Sequence, residues 1–259
     1  MDLPSELRPR TGHDGVMATP PAPGSLRRLF GRHRIDSEIL VGFLVVAGAL
    51  LGFIALASEV TEGDTLAFDR WLLLALRSAG DLAVPAGPEW LRKFMMDVTA
   101  LGGIPVLAVI TVLVAGYLLA VRKPGTATFV AIAVWSGAAA GTLLKELFLR
   151  ARPDLVGHLV EVDTASFPSG HAMNSAIAYL TLAALLARGA RGRPVRIYLL
   201  AVGVGLTVLI GVSRVYLGVH WPTDVIAGWC VGAAWAVLCS LIARTLERRS
   251  RRDRRFGPG

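Results

Sequence analysis

The residues able to do chemistry gather in three short stretches, each beside a long apolar run. Residues 213–224 hold Arg214, His220 and Asp224, residues 168–171 read Pro-Ser-Gly-His, and residues 145–153 hold Lys145, Arg150 and Arg152. Ionisable groups at the edge of membrane-like sequence are costly to keep, which marks these stretches as a site. Lys145, Arg152 and Arg214 supply charge that persists at physiological pH. Ser169 and Gly170 precede a predicted helix, whose first-turn amides and positive dipole end attract an anion. Glycine at position 170 lets an oxygen approach the backbone closely. Such a set suits a tetrahedral oxyanion, with phosphate the foremost candidate.

His171 and His220 add proton chemistry. Imidazole titrates near neutrality, so one ring can attack while the other donates a proton. Pro222 suits a first helical turn. Asp224, four residues after His220, is then placed to accept the Nδ1 proton, which fixes the tautomer and frees Nε2. The plainer reading of Lys145 and Arg214 is as cations snorkelling from span ends. Arg150 reads as an interfacial cation and His158 as a solvated loop residue. Ser213 and Trp221 acquire no role, and His13 and His33 read as idle.

The elements that must position these groups are membrane helices. Of 259 residues, 54% are hydrophobic, and the mean hydropathy is +0.56. Several windows reach the roughly 18 apolar residues that a span needs. Six spans are predicted, over about 39–56, 98–120, 127–144, 172–187, 197–212 and 225–243. The small residues near Ala55–Ala57 resemble a signal-cleavage site, but the apolar run exceeds a signal peptide's core, so an uncleaved first span is expected. An apolar stripe of Phe68, Trp71, Leu72 and Ala75 predicts an amphipathic helix lying at the interface. The fold class is therefore all-α, a six-helix membrane bundle with an outer interfacial helix. Three segments follow: a disordered basic tail over 1–38, the six-span domain over 39–243, and a basic tail over 244–259.

With both termini cytoplasmic, 19 of the 27 lysines and arginines fall inside, as the positive-inside rule favours. This topology sends residues 145–171 and 213–224 to the outer face. The +8 formal charge thus reads as topology and headgroup contact rather than a nucleic-acid footprint. Gly48/Gly52, Gly137/Gly141 and Gly228/Gly232 have the spacing that lets membrane helices approach closely. Cys230 and Cys239 lie nine residues apart on one predicted helix. That separation, roughly 13 Å of rise, is too long for a mutual disulfide. Neither a metal-ligand cluster nor an oligomeric state is legible.

Residues 145–153 fit K-x6-R-P, residues 168–171 fit P-S-G-H, and residues 213–224 fit S-R-x5-H-x3-D. In this order and setting the chain resembles the type 2 phosphatidic acid phosphatase superfamily, which also contains vanadium-dependent haloperoxidases. The resemblance implies His220 as a nucleophile forming a phosphohistidine, Asp224 as its orienting carboxylate, and His171 as the acid for the leaving group. It assigns Lys145, Arg152, Ser169, Gly170 and Arg214 to the phosphoryl oxygens and requires neither metal nor cofactor. The implied activity is metal-independent hydrolysis of a lipid phosphate monoester or pyrophosphate. Substrates of the undecaprenyl pyrophosphate, phosphatidylglycerophosphate or phosphatidic acid type all fit, and the outer-face site favours a cell-envelope carrier lipid. The alternatives are a haloperoxidase-like enzyme, disfavoured by six spans, and an anionic-lipid transporter, disfavoured by a site at one membrane face.

Overall fold

The computed structural model describes the backbone of residues 24–256. Two compact units divide the chain, Met1–Glu38 and Ile39–Gly259, and the candidate site lies in the second. Residues 1–23 of the expected disordered tail lie outside the described residues. From Gly24 onward the backbone is already helical, in α1 (Gly24–Glu62). Leu26, Arg27, Arg28 and Leu29 are good helix formers, which favours this over a structureless tail.

α2 (Leu66–Ala75) is followed by a small antiparallel hairpin, β1 (Arg77–Ser78) with β2 (Asp81–Pro85). Next come α3 (Glu89–Ala100), α4 (Ile104–Ala120) and α5 (Pro124–Phe148). A long outer connection leads to α6 (Gly170–Gly189), which contains a π-helical turn at Ala176–Leu180. α7 (Arg193–Tyr216) and α8 (Pro222–Phe256) complete the chain. The C-terminal basic segment therefore continues α8 as far as Phe256. Pro105, Pro124, Pro194 and Pro222 each stand in the first turn of a helix, where the missing N–H has no helical partner to lose.

Among the described residues, five helices are individually long and apolar enough to cross a membrane, and the α3–α4 pair makes a sixth if read as one broken span. The second span was expected to run straight from Val98. Instead the chain bends by 53° between α3 and α4. Gly102, Gly103 and Pro105 explain the break, since glycine loosens the helix and proline removes a donor. The bent turn matters because it packs against the site.

α6 is the central span, with half of its apolar window buried, the largest share among the spans. It packs against α5, α7 and α8. A Cβ at Gly228 of α8 would lie 2.7 Å from the Ser169 carbonyl, and one at Gly232 would lie 2.6 Å from Ala176 Cβ. A Cβ at Gly137 of α5 would lie 2.5 Å from Ile177 Cδ1. Gly137/Gly141 and Gly228/Gly232 thus mark real close approaches, whereas Gly48 has nothing within 4 Å. Cys230 and Cys239 are free thiols.

α2 exists as predicted, with Phe68 and Trp71 of its apolar stripe turned away from the protein. Phe68 and Trp71 are exposed, at 45% and 65%, while Asp69 and Leu73 are completely buried. The apolar stripe is the side left for lipid, and the acidic residue on the opposite face docks onto the bundle.

Candidate active site

Helix termini build the site. α5 ends where Leu149 turns left-handed (φ 46°), so Lys145 occupies its last turn and Arg150–Pro153 leave the helix. α6 begins at Gly170 with Ser169 as its N-cap residue. Arg214 stands in the last turn of α7 and Asp224 in the first turn of α8, with His220 on the link between them. Because successive spans run antiparallel, all these termini lie at the same end of the bundle.

His220 and Asp224 are both buried, and the two His220 nitrogens face opposite environments. Nδ1 lies 3.4 Å from Asp224 Oδ2 and 3.3 Å from Ser166 Oγ. The Ser166 hydroxyl donates to the same Asp224 oxygen, so its own oxygen is free to accept from the ring. Nε2 faces the cations, accepting from Arg152 Nη1 at 3.2 Å. Arg152 is held by the Val219 carbonyl at 2.6 Å and by the Thr164 carbonyl at 2.8 Å. Burial pushes the His220 imidazole down to about 3; the Asp224 hydrogen bond and charge oppose this, and Arg214 and Arg152 reinforce it. That shift favours the neutral ring at physiological pH, the form a nucleophilic nitrogen would need.

The remaining expected residues converge on this point. Lys145 Nζ donates to the Ala165 carbonyl at 2.5 Å, and its Cε would meet a Cβ at Gly170 at 3.4 Å. Arg214, 3% exposed, donates from Nη1 to Thr99 Oγ1 at 3.1 Å, and its Nε has no partner. Ser169 N donates to the Asp224 carbonyl at 2.9 Å, while its buried hydroxyl is unpartnered. Lys145, Arg152, Arg214 and His220 all lie within electrostatic range of His171. A Cβ at Gly103 would come within 3.7 Å of His171 Nε2, so the break between α3 and α4 forms a wall of the site. Unpaired donors on Ser169 and Arg214, with Lys145, Arg152 and a helix N-terminus beside them, are the kind of set that can cradle a tetrahedral oxyanion.

Six residues acquire contacts at the site that escaped the sequence reading. Arg150 is no bystander at the interface: Nη1 donates to Asp224 Oδ1 at 2.5 Å, and Nη2 donates to Asp69 Oδ2 at 2.7 Å. Asp69 also accepts the Thr223 amide at 2.9 Å and the Thr223 hydroxyl at 2.7 Å. Trp221 stacks under Arg150, 5.6 Å from centroid to Cζ, and gives its amide to Asp224 Oδ2 at 2.9 Å. Ser166 and Thr99 join the shell as described. Arg150 and Trp221 had a visible signal, lying inside the motif stretches beside Arg152 and His220, whereas Asp69 and Thr99 come from distant segments. His158 is exposed as expected, although its Nε2 donates to the Pro153 carbonyl at 2.7 Å.

The PAP2 superfamily matches residues 125–248. The chain is 35% identical over 153 residues to phosphatidylglycerophosphatase B of Bacillus subtilis, covering 58% of this chain and 74% of that one. It is 34% identical over 131 residues to decaprenylphosphoryl-5-phosphoribose phosphatase of Mycobacterium tuberculosis, covering 49% and 64%. Its fold matches the crystal structure of a transmembrane PAP2-type phosphatidylglycerolphosphate phosphatase from Bacillus subtilis. That match has a TM-score of 0.70 at 27% identity and covers 77% of this chain and 96% of the other.

Proposed function

The chain belongs to the PAP2 superfamily, and from that premise we propose that it is a membrane lipid phosphatase working through a phosphohistidine on His220. The observation that carries this reading is the opposed environment of the His220 ring, with Nδ1 toward Asp224 and Nε2 beside Arg152. A phosphoryl group seated among Lys145, Arg152, Arg214 and the α6 amides presents its phosphorus to Nε2. As the N–P bond forms, the bond to the leaving oxygen breaks and His171 protonates that oxygen. Water then attacks the phosphohistidine, His171 takes its proton, and inorganic phosphate leaves. Charge on the equatorial oxygens is met by preorganised cations and N–H groups, which supply most of the catalysis in phosphoryl transfer.

The substrate is a lipid carrying a phosphate monoester or pyrophosphate, and a cell-envelope carrier lipid suits an outer-face site best. Relatives named for phosphatidylglycerophosphate and for decaprenylphosphoryl-5-phosphoribose support this range. The same three cations make a metal unnecessary for charge neutralisation, so turnover is expected to survive a chelator. The topology proposed with it is six spans over 39–243, both termini cytoplasmic. Transporters keep their sites near the bilayer midplane, whereas these residues sit at helix ends.

Purified protein in detergent, with chelator present, is expected to release inorganic phosphate from lipid phosphates. Radiolabelled substrate followed by alkaline quench should leave label on the wild type and none on His220→Ala. Normal turnover by His220→Ala would rule out the nucleophile, and binding of the lipids without release would end the enzyme reading.

A further inference from the structure

Asp224 is unusually well supplied with donors for a carboxylate that serves a histidine. Its Oδ1 takes Arg150, and its Oδ2 takes the Ser166 hydroxyl and the Trp221 amide besides His220. Of the measured contacts the His220 one is the longest, at 3.4 Å. The carboxylate is thus held chiefly by groups other than the ring it orients. Arg150 also separates Asp224 from a second fully buried carboxylate, Asp69. A cation between two such carboxylates offsets a mutual repulsion that burial strengthens. Asp69 in turn ties α2 to Thr223, and so to the first turn of α8, which carries Asp224.

We propose that Arg150 and Asp69 are positioning residues of the phosphoryl-transfer site, clamping Asp224 so that it holds His220 in its attacking geometry. The proposal rests on His220 as nucleophile and extends the machinery to α2, which lies outside the three sequence patterns. Arg150 fixes the carboxylate from the side away from the ring, and its fork reaches both carboxylates at once. Lysine offers charge without that fork. Asp69 sets the plane of the guanidinium and the height of Thr223. Neither residue needs to touch substrate.

The test compares Arg150→Gln, Arg150→Lys and Asp69→Asn with wild type, alone and in an Asp224→Asn background. Arg150→Gln is expected to lower kcat on the order of 10- to 100-fold, the range for removing an outer partner that supports a positioned side chain, with KM changed much less. Arg150→Lys should recover part of that loss, and Asp69→Asn should lose less than Arg150→Gln. In the Asp224→Asn background, Arg150→Gln should add little, because the carboxylate it holds is gone.

The acid limb of kcat/KM gives a readout that simple loss of folded protein would not move. Asp224, Arg152 and Arg214 face His220, with Lys145 and His171 beyond them; Arg150 faces Asp224. Removing the Arg150 charge leaves Asp224 less compensated and favours imidazolium, so the limb moves to higher pH. If Arg150→Gln fails to fold in detergent, the double variant Arg150→Gln/Asp69→Asn removes the opposite charges together and carries the same comparison. Unchanged kcat with an unmoved acid limb would overturn the proposal, as would a loss of equal size with and without Asp224. An active His220→Ala would instead remove the underlying reading; an inactive His220→Ala beside a fully active Arg150→Gln would remove this proposal alone.

Discussion

At the scale of single residues, the two histidines have separate tests, His220 by pH and His171 by leaving group. In the proposed mechanism His220 attacks as the neutral ring, and burial holds its imidazole well below the ordinary value of 6.5, at about 3. A depressed value means that falling pH protonates the free enzyme late, so activity should persist well below the range where an unperturbed histidine would switch off. The check is kcat/KM over about pH 4.5 to 8, after dividing out the substrate's own phosphate ionisation near ~6. An enzyme-borne acid limb near 6.5 would contradict it. His171 has the complementary test. His171→Ala should slow hydrolysis of an alkyl phosphate about 10²- to 10⁴-fold, and far less that of a nitrophenyl phosphate, whose leaving oxygen needs no proton. Equal losses on both substrates would remove its role as acid.

At the scale of elements, the site depends on how closely α6 and α8 approach. A Cβ at Gly228 would lie 2.7 Å from the Ser169 carbonyl and 3.1 Å from the Met173 amide. Backbone cannot yield as a side chain can, so Gly228→Ala must push the start of α6 away and carry Ser169 and His171 with it. Overpacking of this kind costs about 1–3 kcal/mol, and kcat should fall as well. Gly205→Ala on α7, with nothing within 4 Å, should be neutral or stabilising by up to about 1 kcal/mol, the usual glycine-to-alanine gain within a helix. Thermal unfolding in detergent distinguishes the two; similar melting temperatures for both would refute the packing argument. Such close approaches were legible as small-residue spacing, and the three motifs were legible because their residues are neighbours in the chain. Asp69 was not, because its partners Arg150 and Thr223 are 81 and 154 residues away, and nothing local separates a docking carboxylate from a solvated one. The bend at Gly102–Gly103 was hidden for another reason. Hydropathy averages across a window and does not register a helix that breaks inside an apolar run.

At the scale of the whole molecule, the remaining question is which side of the membrane the site faces. Lys145 closes α5, His171 opens α6, Arg214 closes α7 and Asp224 opens α8, so these ends share one side of the bundle. The opposite ends of the same helices are joined by basic turns, Arg122–Lys123 and Arg188–Arg196. The proposed orientation keeps these positive loops cytoplasmic, as the positive-inside rule favours, and on that orientation the site faces outward. α2 agrees with that placement: exposed Phe68 and Trp71 on one face and buried Asp69 on the other suit a helix lying at the outer interface, where aromatic rings concentrate. The prediction uses two exposed positions in a background with Cys230 and Cys239 replaced by alanine. Asp154→Cys should react with a membrane-impermeant maleimide in intact cells, and Lys123→Cys only after permeabilisation. The reverse pattern would turn the site to the cytoplasm. It would leave the phosphoryl chemistry intact while removing the reason to favour a carrier lipid dephosphorylated outside, because the orientation, and not the cradle itself, is what selects the leaflet from which a lipid head can enter.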